Sequence, residues 1–153
     1  MSDSPRGTRL GIDVGQVRVG VARSDPDGIL ATPLVTLARD LTAEEPAVPA
    51  DITAIVRLAR EHDAVEVVLG LPVNLAGRHG PAAGHAKAYA ERLGRALDPV
   101  PVRLVDERMS TVVASRRLAE RGVRGKRQRA VVDQAAAVEI LQSWLDRQRR
   151  RTT

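Results

Sequence analysis

Apolar and polar residues alternate with a period of two near the amino terminus, which is typical of β-strands that bury one face. In a strand predicted at residues 8–14, the apolar side chains point to one face and Asp13 points to the other. Gly15 follows and allows a tight turn into a second strand at 17–24. The pattern therefore predicts a hairpin with a carboxylate at its mouth.

The rest of the chain alternates between helical and strand-like spacing of its apolar residues. Pro33 lies in the third apolar stretch and favours a strand at the edge of a sheet. The apolar run up to Leu71 is interrupted only by Glu66, which is typical of a strand covered on both faces. The other predicted strands lie at 29–37, 65–71 and 102–105. Helices are predicted at about 52–62, 82–97 and 130–147, and a further helix begins at about 110. A loop is predicted at 72–81 and a basic loop at 121–129.

These elements predict one α/β domain in which helices flank a mixed five-stranded sheet. Short links make the first three strands antiparallel, whereas helical crossovers make the fourth and fifth strands parallel to the first. The strand order 3-2-1-4-5 satisfies those connections and resembles that of ribonuclease-H-like nucleases. We place the domain at 8–147, between a disordered tail at 1–7 and a basic carboxyl-terminal tail at 148–153.

Composition limits the chemistry of such a domain. The chain has 153 residues with 43% hydrophobic content, which suffices for one sizeable core. Cysteine is absent, so disulfides and thiolate metal sites are excluded. No apolar run approaches the roughly 20 residues of a membrane span, and the first residues lack the apolar region of a signal peptide. We therefore expect a cytoplasmic protein without a membrane partner.

Charge and aromatic content indicate a polyanionic partner. The formal net charge is +5, and nearly all the basic residues are arginines, whose planar guanidinium groups match phosphate geometry. Tyr89 and Trp144 are the only aromatic residues, whereas proteins that bind single strands stack bases on aromatic side chains. We therefore expect affinity to come from phosphate contacts to folded or duplex nucleic acid.

Asp13 has two interpretations. A carboxylate on a half-buried strand must meet a cation, a metal ion or hydrogen-bond donors, and Gly15 leaves room beside it for an ion or a phosphate. Alternatively, Asp13 caps the turn through its own side chain, which is a common role for aspartate close to glycine. This stretch alone favours neither interpretation.

A second pair of acids, Asp106 and Glu107, ends the predicted fifth strand. Successive strand residues point to opposite faces, so only one of the two faces Asp13. We favour Glu107, whose longer side chain reaches inward as the chain leaves the sheet, and take Asp106 as the second choice. Alternatively, both acids stabilise a helix amino terminus or pair locally with Arg103 and Arg108.

A third acid, Asp133, is predicted in the first turn of the last helix, where it either favours the helix dipole or projects toward the sheet. In the second case Asp13, Glu107 and Asp133 converge, and three ionised carboxylates around one point require a cation. Two Mg²⁺ ions roughly 4 Å apart would bind there and activate water against a phosphodiester. The three histidines show no paired helical spacing with an acid, so Mg²⁺ or Mn²⁺ is favoured over zinc.

Candidate substrate contacts lie in two predicted loops. The basic loop at 121–129 contains no acid, and next to a carboxylate cluster it is suited to holding phosphates, although such charge runs are commonly only solvated. In the loop at 72–81, Asn74 is suited to orienting substrate or water, but asparagine is also an ordinary turn residue. The predicted nucleic-acid-binding residues are Arg124, Lys126, Arg127, Arg129 and Asn74.

Four motifs together resemble the YqgF family, also called RuvX, the Holliday junction resolvase family. They are IDVGQVRVGVA, VVLGLPVNLAG, LVDERMST and VDQAAAVEILQ, in the order and at the spacing of the family, and the resemblance covers roughly residues 9–145. It implies a ribonuclease-H-like fold, a cytoplasmic location and a nuclease that matures the 5′ end of the 16S rRNA precursor. The acids of the family fall on Asp13, Glu107 and Asp133. Gln16, Val17 and Gln134 depart from the common Thr, Lys and Ser.

The function expected from the residues and the resemblance is that of a metal-dependent nuclease acting on structured RNA, with Mg²⁺ or Mn²⁺ on the three acids. The alternatives are a Holliday junction resolvase that acts on branched DNA, and a nucleic-acid-binding assembly factor without turnover. A resolvase needs two sites for two strands and is therefore expected to be a symmetric dimer. The expected partners are the 16S rRNA precursor, branched DNA and ribosomal proteins, and the expected state is a monomer or a weak homodimer.

Overall fold

The computed structural model describes residues 6–72, 80–107 and 125–152, with the backbone alone at 125–128 and 152. The predicted helix from about 110, Asn74 and Arg124 lie outside these residues. Where the chain is described, the elements in order are β1 (Arg9–Val14), β2 (Arg18–Ser24), β3 (Ala31–Ala38), α1 (Ala50–Glu61), β4 (Glu66–Leu71), α2 (Pro81–Leu97), β5 (Val102–Asp106) and α3 (Gly125–Thr152).

The strands form one mixed five-stranded sheet in the order β3-β2-β1-β4-β5. β1 pairs antiparallel with β2, and β2 with β3, whereas β4 runs parallel to both β1 and β5. The α/β class, the strand order and the ribonuclease-H-like arrangement predicted from the sequence are thus confirmed. Pro33 lies on the edge strand β3, opposite Ala22 and next to an irregularity in the pairing, as expected for a residue without an N–H group.

Helices cover both faces of the sheet. On one face α1 and α2 bury a large core that includes Leu10, Ile12 and Leu69. On the other face α3 packs through Ile140 and Leu141 against residues such as Val68 and Val105. All residues of β4 are buried, which confirms the strand covered on both faces. In the part of the chain that the structure describes, none of the helices combines the length and the apolar character of a membrane span.

Glycines allow the backbone of α3 to lie directly on the sheet. A Cβ atom placed on Gly11 would lie 2.7 Å from the Cβ of Leu141 and 2.9 Å from the carbonyl oxygen of Ala137. On Gly20 it would lie only 2.1 Å from the carbonyl oxygen of Asp133. Real side chains do not tolerate such distances, so glycine at these two positions sets how closely the helix approaches β1 and β2.

The last helix is longer at both ends than predicted. α3 begins at Gly125 instead of 130 and ends at Thr152 instead of 147. The prediction followed the apolar stripe, which marks only the buried part of the helix, whereas Lys, Arg and Gln extend a helix well because they lose little side-chain entropy there. At the carboxyl-terminal end Arg149 Nη1 donates hydrogen bonds to the carbonyl oxygens of Gly28 and Ile29, at 2.9 and 3.0 Å.

This correction changes the setting of the site residues on α3. Lys126, Arg127 and Arg129 lie on the first turns of the helix and not in a loop. Asp133 lies about two turns inside the helix, at 3.6 residues per turn, and not in its first turn. A helix dipole acts only on the first and last turns, so it explains neither the presence nor the position of Asp133.

The third strand also starts later than predicted, at Ala31 instead of 29. The carboxylate of Asp25 accepts hydrogen bonds from the N–H groups of Ile29 and Leu30, at 2.9 and 2.7 Å, and keeps both residues in the turn. The hydrogen bond from Leu30 is the main reason that the pKa of Asp25 lies below its usual value. An Asx-type turn therefore precedes β3 and delays the start of the strand.

Candidate active site

Asp13 is the penultimate residue of β1, and only 4% of its surface is exposed. By the two-residue period of a strand its side chain shares a face with Gly11, which lies against Leu141 of α3. Its partner across the hairpin is Gly20 of β2, which lies against the backbone of α3 at Asp133. Asp13 is therefore a buried carboxylate on the α3 face of the sheet, with glycine on its paired strand.

Glu107 directly follows β5 and is 3% exposed. Its Oε1 atom lies 3.3 Å from the position that a Cβ atom on Gly70 would take, so its carboxylate lies above Gly70. Val105 pairs with Gly70 and packs in the core under α3, and alternation returns Glu107 to that same face. Asp106 pairs with Leu71, which packs in the core on the opposite face.

The structure brings Asp13 and Glu107 to the same part of one face. β4 lies between β1 and β5 in the sheet. Ile12 pairs with Leu69, so that Asp13 and Gly70 are the next residues on their two strands. Neighbouring strands lie about 4.8 Å apart, and Gly70 has no side chain to separate the acids. Two buried carboxylates therefore share the carboxyl end of the parallel strands, where open α/β sheets bind ligands.

Asp133 approaches this site through its backbone but directs its carboxylate elsewhere. Its carbonyl group lies against Gly20, opposite Asp13. Its Oδ2 atom accepts a hydrogen bond from Arg18 Nε at 2.7 Å, and the two side chains are 19% and 29% exposed, respectively. In this arrangement the charge of Asp133 is balanced by an arginine of β2 and not by a metal ion shared with Asp13 and Glu107.

The donor atoms suit a hard divalent cation. Within residues 6–72, 80–107 and 125–152, no three acidic or histidine side chains are grouped closely enough to hold a metal ion. Mg²⁺, however, is commonly held by one or two carboxylates and keeps several waters. Asp13 and Glu107 fit that requirement, whereas the carboxylate of Asp133, the third acid expected there, pairs with Arg18.

Arg18 is a residue that the sequence interpretation missed. Arg18 and Gly20 are two residues apart on β2, so they share the face that carries Asp13. That alternation was a usable signal, because a cation next to a buried acid is the expected partner.

A second polar network, also missed, supports the turn after Asp13. Arg39 donates from its backbone N–H to the carbonyl of Val17, at 2.9 Å, and from Nη1 to the carbonyl of Gly15, at 3.2 Å. Its guanidinium group lies 5.3 Å from the ring centre of Tyr89. The Tyr89 hydroxyl donates to buried Asp51 at 2.6 Å. Burial, and then this hydrogen bond, raise the pKa of Tyr89, so the phenol stays protonated and keeps donating.

The residues that depart from the family pattern lie around the hairpin and α3. Gln16 and Val17 are exposed at the tip of the hairpin. Gln134 Nε2 donates to the hydroxyl of Thr36 at 3.1 Å, and that hydroxyl donates to the carbonyl of Ala130 at 2.7 Å. Gln134 therefore connects α3 with the edge strand β3, a contact that helps to hold the helix next to the site.

Comparison with solved structures finds chains that align over most of their length at TM-scores below 0.5. T. thermophilus RuvC in complex with a Holliday junction substrate aligns with a TM-score of 0.45 and 18% identity, over 90% of this chain and 92% of that chain. A second T. thermophilus RuvC structure aligns with a TM-score of 0.41 and 18% identity, over 92% and 95% of the two chains.

Comparison with known sequences is more specific. A protein of Rhodococcus erythropolis named "Putative pre-16S rRNA nuclease" is 55% identical over 150 residues, covering 98% of this chain and 84% of that protein. A protein of the same name from Nocardia farcinica is 56% identical over 145 residues, covering 95% and 81%. The family model described as "RuvX: Holliday junction resolvase" matches residues 7–147. The chain therefore belongs to the RuvX family and, as that family implies, is a phosphodiester hydrolase.

Proposed function

We propose that the protein is a divalent-metal-dependent nuclease of the cytoplasm that processes the 5′ end of the 16S rRNA precursor. The observation that carries this proposal is the pair of buried carboxylates, Asp13 and Glu107, on one face of the sheet next to Gly70. Two carboxylates on the same part of one face favour the binding of a cation between them. The RNA substrate comes from the names of the relatives, which are about 55% identical.

Each candidate side chain has a role in the proposed reaction. Asp13 and Glu107 would hold Mg²⁺ or Mn²⁺ from rigid strand ends, and Asp133 would join them from α3. When bound, such an ion lowers the pKa of a water ligand and stabilises negative charge on the leaving oxygen. Burial of both acids excludes bulk water, which strengthens their attraction for a cation. Arg124, Lys126, Arg127 and Arg129 would bind the substrate phosphates, and Asn74 would orient substrate or water.

A second candidate is a Holliday junction resolvase, which the description of the family model favours. Both substrates present phosphodiesters to the same acids, so the acids do not discriminate between them. RNA adds 2′-hydroxyls and an A-form minor groove, whereas a junction requires a dimer with two paired sites. The proposed partners are accordingly structured RNA and ribosomal proteins, with branched DNA as the alternative substrate.

A direct comparison of the two substrates tests the proposal. With Mn²⁺, purified protein is expected to cleave a 16S precursor fragment faster than a four-way DNA junction, with Asp13→Asn protein as the negative control. Gel analysis of end-labelled substrates measures both rates. Paired, symmetric incision of the junction without RNA cleavage would favour the resolvase. If neither substrate is cut while Asp13→Asn still impairs ribosome maturation in cells, a ribosomal partner must present the RNA.

The basic residues between positions 124 and 127 of the sequence predict a change in salt dependence. Replacement of Arg124, Lys126 and Arg127 by alanine is expected to weaken RNA binding across sequences, because each phosphate contact releases counterions. The slope of log affinity against log salt should flatten by up to about one unit per lost contact. Fluorescence anisotropy at a series of salt concentrations measures this slope.

A matched control removes the same charges from the other side of the sheet. Arg57, Arg60 and Lys87 are exposed on α1 and α2, which cover the face opposite α3. Their replacement by alanine removes two arginines and one lysine, as in the test variant, and should leave the slope near its original value. Equal flattening in both variants would show that only net charge matters and that the start of α3 is merely solvated.

A further inference from the structure

Arg18 and Asp133 form an ion pair at the edge of the candidate active site. Their elements, β2 and α3, meet where Gly20 pairs with Asp13. In the described part of the chain Arg18 contacts Asp133 through Nε alone, at 2.7 Å, and 29% of its side chain is exposed. The planar guanidinium group of Arg18 matches the geometry of a phosphate as well as that of a carboxylate, so the two anions are alternative partners for it.

The charge balance of the site explains why an arginine lies there. Asp13 and Glu107 are buried on the α3 face, and the backbone of Asp133 lies on Gly20, the residue that pairs with Asp13. A further ionised carboxylate close to two buried ones is favoured when positive charge lies next to it. In the protein without a metal ion, Arg18 supplies that charge to the outermost of the three acids.

The pair is also weak enough to exchange. Both side chains are partly exposed, and one hydrogen bond joins them. Such pairs contribute little stability, because water screens them and both side chains lose freedom. A divalent cation held by two further carboxylates would offer Asp133 a stronger partner than a single arginine.

We infer that Arg18 holds Asp133 until a divalent cation binds, and that Arg18 then releases Asp133 and contacts a phosphate of the nucleic acid. This inference rests on the proposed function, since it assumes that Asp133 joins the metal site. It makes Arg18 a positioning residue in the metal-free protein and a substrate-binding residue in the loaded protein. Nucleic-acid binding is thereby coupled to metal binding.

The first test measures metal affinity without any reaction. Arg18→Gln should tighten Mn²⁺ binding by up to about fivefold in calorimetry, because the competing cation is gone. The same change made in an Asp133→Asn background should leave Mn²⁺ binding unaltered, because the competition acts through Asp133. Equal tightening in both backgrounds would show that Arg18 weakens Mn²⁺ binding only through its general positive charge. That result would overturn the inference. Thermal melting confirms that each variant is folded.

The second test measures RNA affinity with and without a divalent cation. With Ca²⁺ present, Arg18→Gln should weaken binding of a 16S precursor fragment and flatten the salt slope by about one unit. Without a divalent cation, Arg18 is held by Asp133 and the substitution should have little effect. Arg18→Lys keeps the charge but not the planar fork and should restore part of the binding. Equal weakening in both conditions would overturn the exchange.

These results also separate the inference from the proposed function. If wild-type protein binds no Mn²⁺ at Asp13 and cuts no RNA, the metal-dependent nuclease itself is wrong. If wild-type protein binds Mn²⁺ and cuts RNA while Arg18→Gln changes neither Mn²⁺ affinity nor RNA affinity, the exchange alone is wrong.

Discussion

An Asp13→Asn protein is expected to lose RNA cleavage on the order of a thousand-fold while it keeps its fold and its RNA affinity. The substitution keeps the shape of the side chain but removes the charge that would hold a metal ion, whose stabilisation of the transition state contributes several kcal/mol, and each ~1.4 kcal/mol is about tenfold in rate. Single-turnover cleavage, calorimetric Mn²⁺ binding and thermal melting together measure the three quantities.

Glu66→Gln is a matched control, because it makes the same carboxylate-to-amide change in a buried residue at the other end of the parallel strands. Glu66 accepts hydrogen bonds from Arg9 at 3.4 Å and from Arg103 at 2.9 Å. Breaking a buried pair should cost roughly 3 kcal/mol of folding free energy and leave cleavage by the folded protein close to wild type. If the Asp13→Asn protein cuts RNA and binds Mn²⁺ like wild type, Asp13 is not part of the active site.

The sheet could be predicted from the sequence because its determinants are local. Links that are too short for a crossover force antiparallel neighbours, and helices between strands force parallel ones. Pro33 marked the edge strand, and the apolar run of β4 marked the strand covered on both faces. None of these signals depends on a contact between distant parts of the chain.

The ends of elements were less predictable, because side-chain contacts and polar residues set them. The turn at Asp25 delays β3 through hydrogen bonds to Ile29 and Leu30, which an apolar pattern does not reveal. At α3 the apolar stripe marks the buried face alone, while Lys126 and Arg127 precede it as good helix formers. The first error lengthened a strand, and the second shortened a helix and placed Asp133 in the wrong turn.

The candidate site also has one part that sequence patterns predict and one part that they do not. Alternation along the fifth strand showed that only one of Asp106 and Glu107 faces Asp13, and the longer side chain of Glu107 favoured Glu107. Arg18 and Asp133 are separated by 115 residues, and Tyr89 and Asp51 by 38, so their pairing depends on how the elements pack. Sequence patterns list candidate charges, but tertiary packing decides which charges meet.

Replacement of Gly20 by alanine is expected to destabilise the fold and impair the site together. The new Cβ atom would lie 2.1 Å from the carbonyl oxygen of Asp133, so the backbone of α3 would have to move. Overpacking of this kind costs about 1–3 kcal/mol, and 3 kcal/mol corresponds to a fall in melting temperature on the order of 10 °C. Because the shift displaces Asp133 from Asp13, cleavage should fall on the order of a hundred-fold.

Gly84→Ala is the matched control for that prediction, because it adds the same methyl group where nothing lies within 4 Å. Gly84 is an exposed residue of α2, on the other face of the sheet, and alanine there should stabilise the helix by about 0.5–1 kcal/mol. Cleavage by Gly84→Ala should match wild type. If Gly20→Ala instead melts and cuts like wild type, α3 does not rest on Gly20, and the backbone contact that places Asp133 opposite Asp13 is absent in solution.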